Sequence, residues 1–312
     1  MGLRARAPGS VAVHSDKGLP PAGHLAPAKI NLFLHIVGRR EDGYHLLESL
    51  VAFASVGDIV EVSTSNGTAE VDLTITGPFA GRIDGTTEDN LIVRAARALC
   101  DTCPESPGRL LLHLVKNLPV AAGIGGGSAD AAATLLAVNQ RLKTPLPLPE
   151  LQALGLSLGA DVPVCLAGTP IMMRGIGERL SPAFVPEDLG VVLVNPDKPL
   201  ATPDVFQAFR RQDQFQKTSR IDWSRTRSRD HWFDLLRTTG NSLQPPALTL
   251  LPEVGLVLQA LAQTADCRLS RMSGSGATCF GLYDTRASAN QAKSALQSRH
   301  PDWWIAAGAL LP

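Results

Sequence analysis

The sequence has no net charge: 29 Lys and Arg stand against 29 Asp and Glu in 312 residues. Such a chain projects no general field toward DNA, RNA or an anionic membrane, which argues against nucleic acid or membrane as its main partner. A local anion site stays open, because phosphate needs only a few aligned donors. No apolar run nears the roughly 18 residues of a membrane helix. The most apolar early stretch, residues 25–37, is interrupted by Lys29, Asn31 and His35. Cysteine is scarce, with Cys100, Cys103, Cys165, Cys267 and Cys279 alone. An odd, sparse set argues against a disulfide framework and fits a reducing cytoplasm. Cys100 and Cys103 form one CxxC without the second Cys or His pair that a metal site needs. Its plainer reading is the end of a helix before Pro104. No internal repeat is present.

What is there is globular: 44% hydrophobic and 19% charged residues, against the low hydrophobicity and high net charge of disordered chains. The length suits one large or two modest domains. Residues 1–24, rich in Gly, Pro, Ala and Arg, show no hydrophobic period and read as a mobile leader. They have no apolar segment of a secretory signal. Their shortness and Asp16 argue against an organellar transit peptide.

Strands are expected over 30–37, 58–63, 71–76, 110–115 and 277–283 and near Trp304, with a charged turn over 38–43. Helices are expected over 90–100, 128–141, 150–158, 254–263 and 287–299. Residues 211–231 are polar, with Arg220, Arg225, Arg227 and Arg229. They read as a solvated loop or helix face, or else as a phosphate or partner contact. Helices and strands mix without a strict βαβ beat, which points to an α+β protein.

The most informative segment is Pro119, Val120, Ala121, Ala122, Gly123, Ile124, Gly125, Gly126, Gly127, Ser128, Ala129 and Asp130, between an expected strand and an expected helix. Each glycine costs backbone entropy, so four in five positions read as a place where backbone approaches a bulky group, not as packing. The helix behind points its amides and dipole at the loop, which suits phosphate. Ser128 can cap that helix or face a metal–phosphate group. A tight turn with an N-cap is the plainer alternative. A P-loop would have a lysine between Gly127 and Ser128, and the dinucleotide spacing puts Ser128 where Gly or Ala belongs. The segment reads as a third kind of phosphate loop.

Two other segments complete a pattern: Ala26-Pro27-Ala28-Lys29-Ile30-Asn31-Leu32, and Arg271-Met272-Ser273-Gly274-Ser275-Gly276-Ala277-Thr278. Together the three resemble the signature motifs of the GHMP kinases, the family of galactokinase, homoserine kinase and mevalonate kinase. Residues 38–45 (GRREDGYH), 88–96 (EDNLIVRAA) and 158–163 (LGADVP) narrow the resemblance to the branch that acts on a cytidyl-linked methylerythritol. The similarity runs from about residue 25 to the C-terminus and is densest over 27–163. Ala129 departs from it, standing where many relatives carry a second Ser.

The resemblance implies a two-domain α+β GHMP kinase fold. A ribosomal-protein-S5-like ATP-binding domain would span 25–172, and a ferredoxin-like substrate domain 173–312, with a return of the last strand to the first domain left open. It implies ATP as phosphoryl donor, Mg²⁺, and transfer to the 2-hydroxyl of 4-diphosphocytidyl-2-C-methyl-D-erythritol, a step toward isoprenoid precursors. Asp161 would be the general base and Lys29 its catalytic partner. Residues 119–129 would bind ATP; Asn31, Tyr44, His45 and Phe206 would bind the acceptor, with aromatic rings stacked on cytosine. Expected partners are this small molecule alone, for a monomer or weak dimer. The plainer alternatives are a cap or turn role for Asp161, a surface-seeking Lys29 and core packing for Phe206. A GHMP kinase for another small alcohol such as homoserine remains open, against the Tyr44-His45 segment. So does a non-catalytic nucleotide sensor, against the presence of both Lys29 and Asp161.

Overall fold

The structure is a computed structural model that describes residues 23–65, 70–103, 108–212, 214–218, 221–223 and 228–312. β1 (Gly23–Arg39) turns into β2 (His45–Ser65), and the two pair antiparallel along their length. β3 (Val71–Thr76) leads through α1 (Leu91–Thr102) to β4 (Arg109–Val115). β4 lies between β2 and β3, antiparallel to the former and parallel to the latter. Next come α2 (Gly126–Asn139), α3 (Leu148–Leu158) and α4 (Val162–Ala167). β5 (Ile171–Gly175) then pairs with β2, and β6 (Arg179–Pro182) with β5.

The second half opens with β7 (Gly190–Asn195). It continues through α5 (Thr202–Gln212), α6 (Arg229–Arg237), α7 (Gln244–Leu250) and α8 (Glu253–Ala262). β8 (Leu269–Met272), β9 (Cys279–Tyr283), α9 (Arg286–Arg299) and β10 (Trp304–Leu311) complete it. The main sheet path is β3-β4-β2-β10-β7-β9-β8. β10 joins the halves: Trp304 to Ala309 pair along β7, and Leu310 and Leu311 pair with Ala54 and Phe53 of β2.

Period-2 alternation explains why β2 is apolar on both faces. Val51 and Phe53 enter one core with α1 and α2, while Leu50, Ala52 and Ala54 enter another with Trp232 and Phe233 of α6. β1 serves three cores, Ala26 in the first, Ala28, Ile30 and Leu32 in the second, Leu34 and Ile36 in the third. α1 is amphipathic and capped by Asn90, whose side chain accepts the Ile92 amide.

Several expectations need correction. β1 and β2 are much longer than the expected strands, and β5 to β8 and α4 to α7 were not foreseen. β5 and β6 pair with the first half, and β7 pairs with β9 and β10. The stretch 211–231 is not wholly solvated: Trp223 is buried, its ring 5.6 Å from Phe33 and 6.3 Å from Trp232. Arg229 donates to the Asp284 and Glu187 carbonyls, while Arg220, Arg225 and Arg227 lie outside the described residues. Of the leader, residues 1–22 also lie outside, and Gly23 and His24 pair with Glu61 and Val60. Among the described residues no helix is long and apolar enough to cross a membrane.

Candidate active site

The three glycine-, serine- and lysine-bearing segments meet at one place. The Lys29 amide in β1 donates to the Ile124 carbonyl at 2.9 Å, and the Thr278 amide donates to the Ala122 carbonyl at 3.1 Å. Ser273 ties all three: its Oγ donates to the Gly123 carbonyl at 3.0 Å and accepts the Asn31 amide at 3.1 Å. The loop 119–128 is therefore clamped from both sides, by the first strand and by the β8–β9 turn.

Two glycines in the loop have a different reason from the one read in the sequence. A β-carbon at Gly123 (φ +75°) would stand 2.6 Å from the Ser273 carbonyl oxygen and 2.7 Å from the Gly276 amide nitrogen. At Gly125 (φ +64°) it would stand 3.1 Å from Cβ and 3.2 Å from Cε of Lys29. Both lie in the left-handed region that favours glycine. Packing against the other two segments, which sequence reasoning set aside, accounts for them. Gly127 differs, since a β-carbon there would meet only Leu91 Cδ1 at 3.6 Å. The helix behind the loop also begins earlier than expected. Gly125 takes the N-cap without a side-chain bond, and Ser128 sits in the first turn of α2 instead of capping it.

Lys29 Nζ is 2.7 Å from Asp161 Oδ2. The lysine side chain is 6% exposed and the carboxylate 38% exposed. Asp161 does occupy the N-cap of α4, but its side chain makes no cap bond and turns to Lys29. Lys29 ends on that carboxylate and not at the surface. Asn31 is buried, its Nδ2 donating to Ser49 Oγ at 2.8 Å.

Tyr44, His45 and Phe206 line one cleft of about 380 Å³. The turn that presents Tyr44 is closed by the Arg40 amide on the Tyr44 carbonyl and the Gly43 amide on the Arg40 carbonyl, with Gly43 at φ +89°. Tyr44 is 62% exposed at the mouth. His45 is buried, its ring 5.1 Å from that of Phe206 and 5.8 Å from that of Phe209. Phe206, on α5, is half-buried and also packs on the third core. Sequence reasoning missed Asp42, Leu47, Ile176 and Arg210 in this cleft. Arg210 carried a signal, lying one helical turn beyond Phe206 on the same face.

All five cysteines are free, burial pushes the Cys100 thiol up, and among the described residues no three His, Cys, Asp or Glu gather as a metal group. Arg271, from the third motif, stays away from the loop. Burial lowers its guanidinium to about 10 while it donates to the Leu32, Leu236 and Thr239 carbonyls.

Residues 90–169 match the family model of the GHMP kinases N terminal domain, and residues 216–302 that of the GHMP kinases C terminal. The chain is 49% identical over 287 residues to the 4-diphosphocytidyl-2-C-methyl-D-erythritol kinase of Paramagnetospirillum magneticum, covering 92% of this chain and 97% of the relative. With that of Agrobacterium fabrum it shares 42% over 299 residues, 94% of this chain and 97% of the relative. The crystal structure of a 4-(cytidine 5'-diphospho)-2C-methyl-D-erythritol kinase superimposes with a TM-score of 0.75 at 34% identity, covering 93% and 99% of the two chains. A homoserine kinase from Cytophaga hutchinsonii superimposes with a TM-score of 0.67 at 18% identity over 96% and 98%, which shows the shared fold alone.

Proposed function

The chain belongs to the GHMP kinases, in the branch of the 4-diphosphocytidyl-2-C-methyl-D-erythritol kinases, and from that membership we propose that it moves the γ-phosphoryl group of ATP to the 2-hydroxyl of 4-diphosphocytidyl-2-C-methyl-D-erythritol. The observation that carries this reading is the Lys29–Asp161 pair beside the glycine loop, since Lys29 both bonds the loop through its amide and pairs with the carboxylate through its ammonium.

Phosphoryl transfer depends mainly on positioning and charge stabilisation, with a carboxylate taking the hydroxyl proton. Asp161, partly open to solvent, accepts that proton as the acceptor oxygen bonds to phosphorus and the bond to ADP breaks. Lys29 orients the carboxylate and sets positive charge where negative charge develops. The loop 119–129 with the N-terminus of α2 offers amides to the phosphates. Tyr44 and Phe206 stack on the cytosine and His45 reads its edge, so binding energy far from the reacting hydroxyl orients it. Asn31 joins them in binding the acceptor, its Nδ2 fixed on Ser49 Oγ.

Mg²⁺ accompanies ATP in this chemistry, but the described residues offer no ready cluster of ligands for it. The five free cysteines suit a reducing cytoplasm. ADP release by purified protein, with the cytidyl substrate set against homoserine and mevalonate, tests the reading. Turnover of homoserine or mevalonate in preference to the cytidyl substrate would overturn it.

A further inference from the structure

Lys116, Asp58 and Asp130 form a second charged cluster, and it is drier than the Lys29–Asp161 pair. Lys116 Nζ stands 2.6 Å from Asp58 Oδ2 and 2.7 Å from Asp130 Oδ2, and the three side chains are buried. They come from β2, from the segment just past β4, and from α2. Asp58 Oδ1 accepts the Asn117 amide at 2.6 Å and the Leu118 amide at 2.8 Å, and Asn117 Nδ2 donates to the Gly57 carbonyl at 3.2 Å. Asn117 and Leu118 lead directly into Pro119, where the loop begins. Asp130 lies just beyond Ser128, where the loop ends. Both ends of the glycine loop are therefore fastened to one ammonium.

The main chain of Lys116 is fixed as well. Its amide donates to the Thr76 carbonyl at 2.7 Å and its carbonyl accepts the Phe79 amide at 3.2 Å. A β-carbon at Gly77 would stand 2.7 Å from the Lys116 carbonyl oxygen. The Lys116 Nζ itself lies 3.1 Å from where a β-carbon of Gly126 would sit, directly beneath the first residue of α2.

Stability alone does not account for such a cluster. Burying charges costs more desolvation than the pairing returns in many proteins, and apolar side chains of similar volume hold a fold as well or better. What ionic hydrogen bonds add over apolar contact is direction: they set an angle and a distance between the segments they join.

We propose that Lys116, Asp58 and Asp130 are positioning residues of the phosphate loop, fixing the span between the segment leading into it and the N-terminus of α2 so that the loop amides converge on the phosphates of ATP. This rests on the ATP reading above. None of the three touches substrate; they act through the loop.

The test compares wild type with the double variant Lys116→Met/Asp130→Leu, which removes the ammonium and the carboxyl that links it to α2 and leaves Asp58 on the Asn117 and Leu118 amides, and with the near-isosteric Asp130→Asn. Both KM values and the ATP Kd by calorimetry are measured on protein whose melting curve shows one cooperative transition. The double variant is expected to raise the ATP KM and Kd about 10-fold or more, since misplacing groups by about 1 Å can cost about 10²-fold. The KM for the cytidyl substrate should stay within about twofold. Asp130→Asn, which keeps an acceptor toward Lys116 and is the variant to rely on if the double one does not fold, should raise the ATP KM about threefold. A merely structural role would lower the active fraction, and so kcat, and leave both KM values alone. Unchanged ATP KM in a folded variant, or equal rises in both KM values, overturns the proposal while the function stands. A wild type that binds no ATP overturns the functional reading and the proposal with it.

Discussion

The ammonium of Lys29 and the carboxylate of Asp161 meet at 2.7 Å, the first fixed in the wall of β1 and the second at the solvent edge of α4. A buried cation paired with a carboxylate that remains open on one side suits a base whose substrate arrives from solvent. Asp161→Asn keeps the shape and loses the ability to take a proton. Turnover is expected to fall about 10²- to 10⁴-fold, roughly 3–5 kcal/mol of barrier, with ATP affinity unchanged. Steady-state kinetics with an ATP titration checks it; near-normal turnover removes Asp161 from the base role.

The glycines of the loop should separate into two kinds. Gly123→Ala forces a side chain into the Ser273 and Gly276 backbone at φ +75°, and should destabilise by about 2 kcal/mol or more. Gly127→Ala meets only ordinary contact with Leu91 and should change stability by less than about 0.5 kcal/mol. Chemical denaturation of the two variants decides this. Equal losses would mean that the clamp by the third motif does not set the loop.

Tyr44→Ala and Phe206→Ala each remove a ring from the cleft that they line with His45. A stacked base is worth about 1–3 kcal/mol, so kcat/KM for the cytidyl substrate should fall about 5- to 150-fold. The KM for ATP should hold. CMP should compete with the cytidyl substrate better than UMP, whose exchanged donor and acceptor mismatch the edge beside His45. A larger effect on ATP than on the acceptor would place these rings elsewhere in the reaction.

Burial pushes the Asp130 carboxyl up, to about 8, against the pull of Lys116 and with that of Asp58. The other titratable group near it, the Cys165 thiol on α4, is pushed up to about 12 by burial and stays neutral in the range that matters. The folded protein thus holds a proton on Asp130 that the unfolded chain releases near pH 4. Stability from this site is complete below about pH 4 and is lost as pH rises toward about 8. Melting temperatures from pH 5 to 9 should therefore fall more steeply for wild type than for Asp130→Asn. Parallel curves would show that Asp130 does not carry the proton.

Much of the candidate site was legible in the sequence because its parts are short contiguous motifs. The loop 119–129, Lys29 and Asp161 each sit in a recognisable run, and the structure brings them within bonding distance. Tyr44, His45 and Phe206 were legible only through family resemblance, since nothing local links a turn at 44 to a helix at 206. What stayed hidden depends on distant pairing. Gly123 looks like a phosphate-loop glycine, and only the fold shows Ser273 and Gly276 pressed against it. Asp58, Lys116 and Asp130 each look like an ordinary charge at a strand or helix end, and no spacing rule joins them. β5 and β7 were missed because short buried apolar runs carry no period to distinguish strand from helix.

Phosphoryl transfer to a cytidyl-linked acceptor is read most directly by coupled ADP release from the purified protein, with 4-diphosphocytidyl-2-C-methyl-D-erythritol set against free methylerythritol 4-phosphate at equal concentration. The cytidyl compound is expected to turn over and the free phosphate to be slower by about 10²-fold or more in kcat/KM, because the cleft of Tyr44, His45 and Phe206 goes unfilled. Equal turnover of the two would contradict the assignment and return the choice to the small-alcohol kinases.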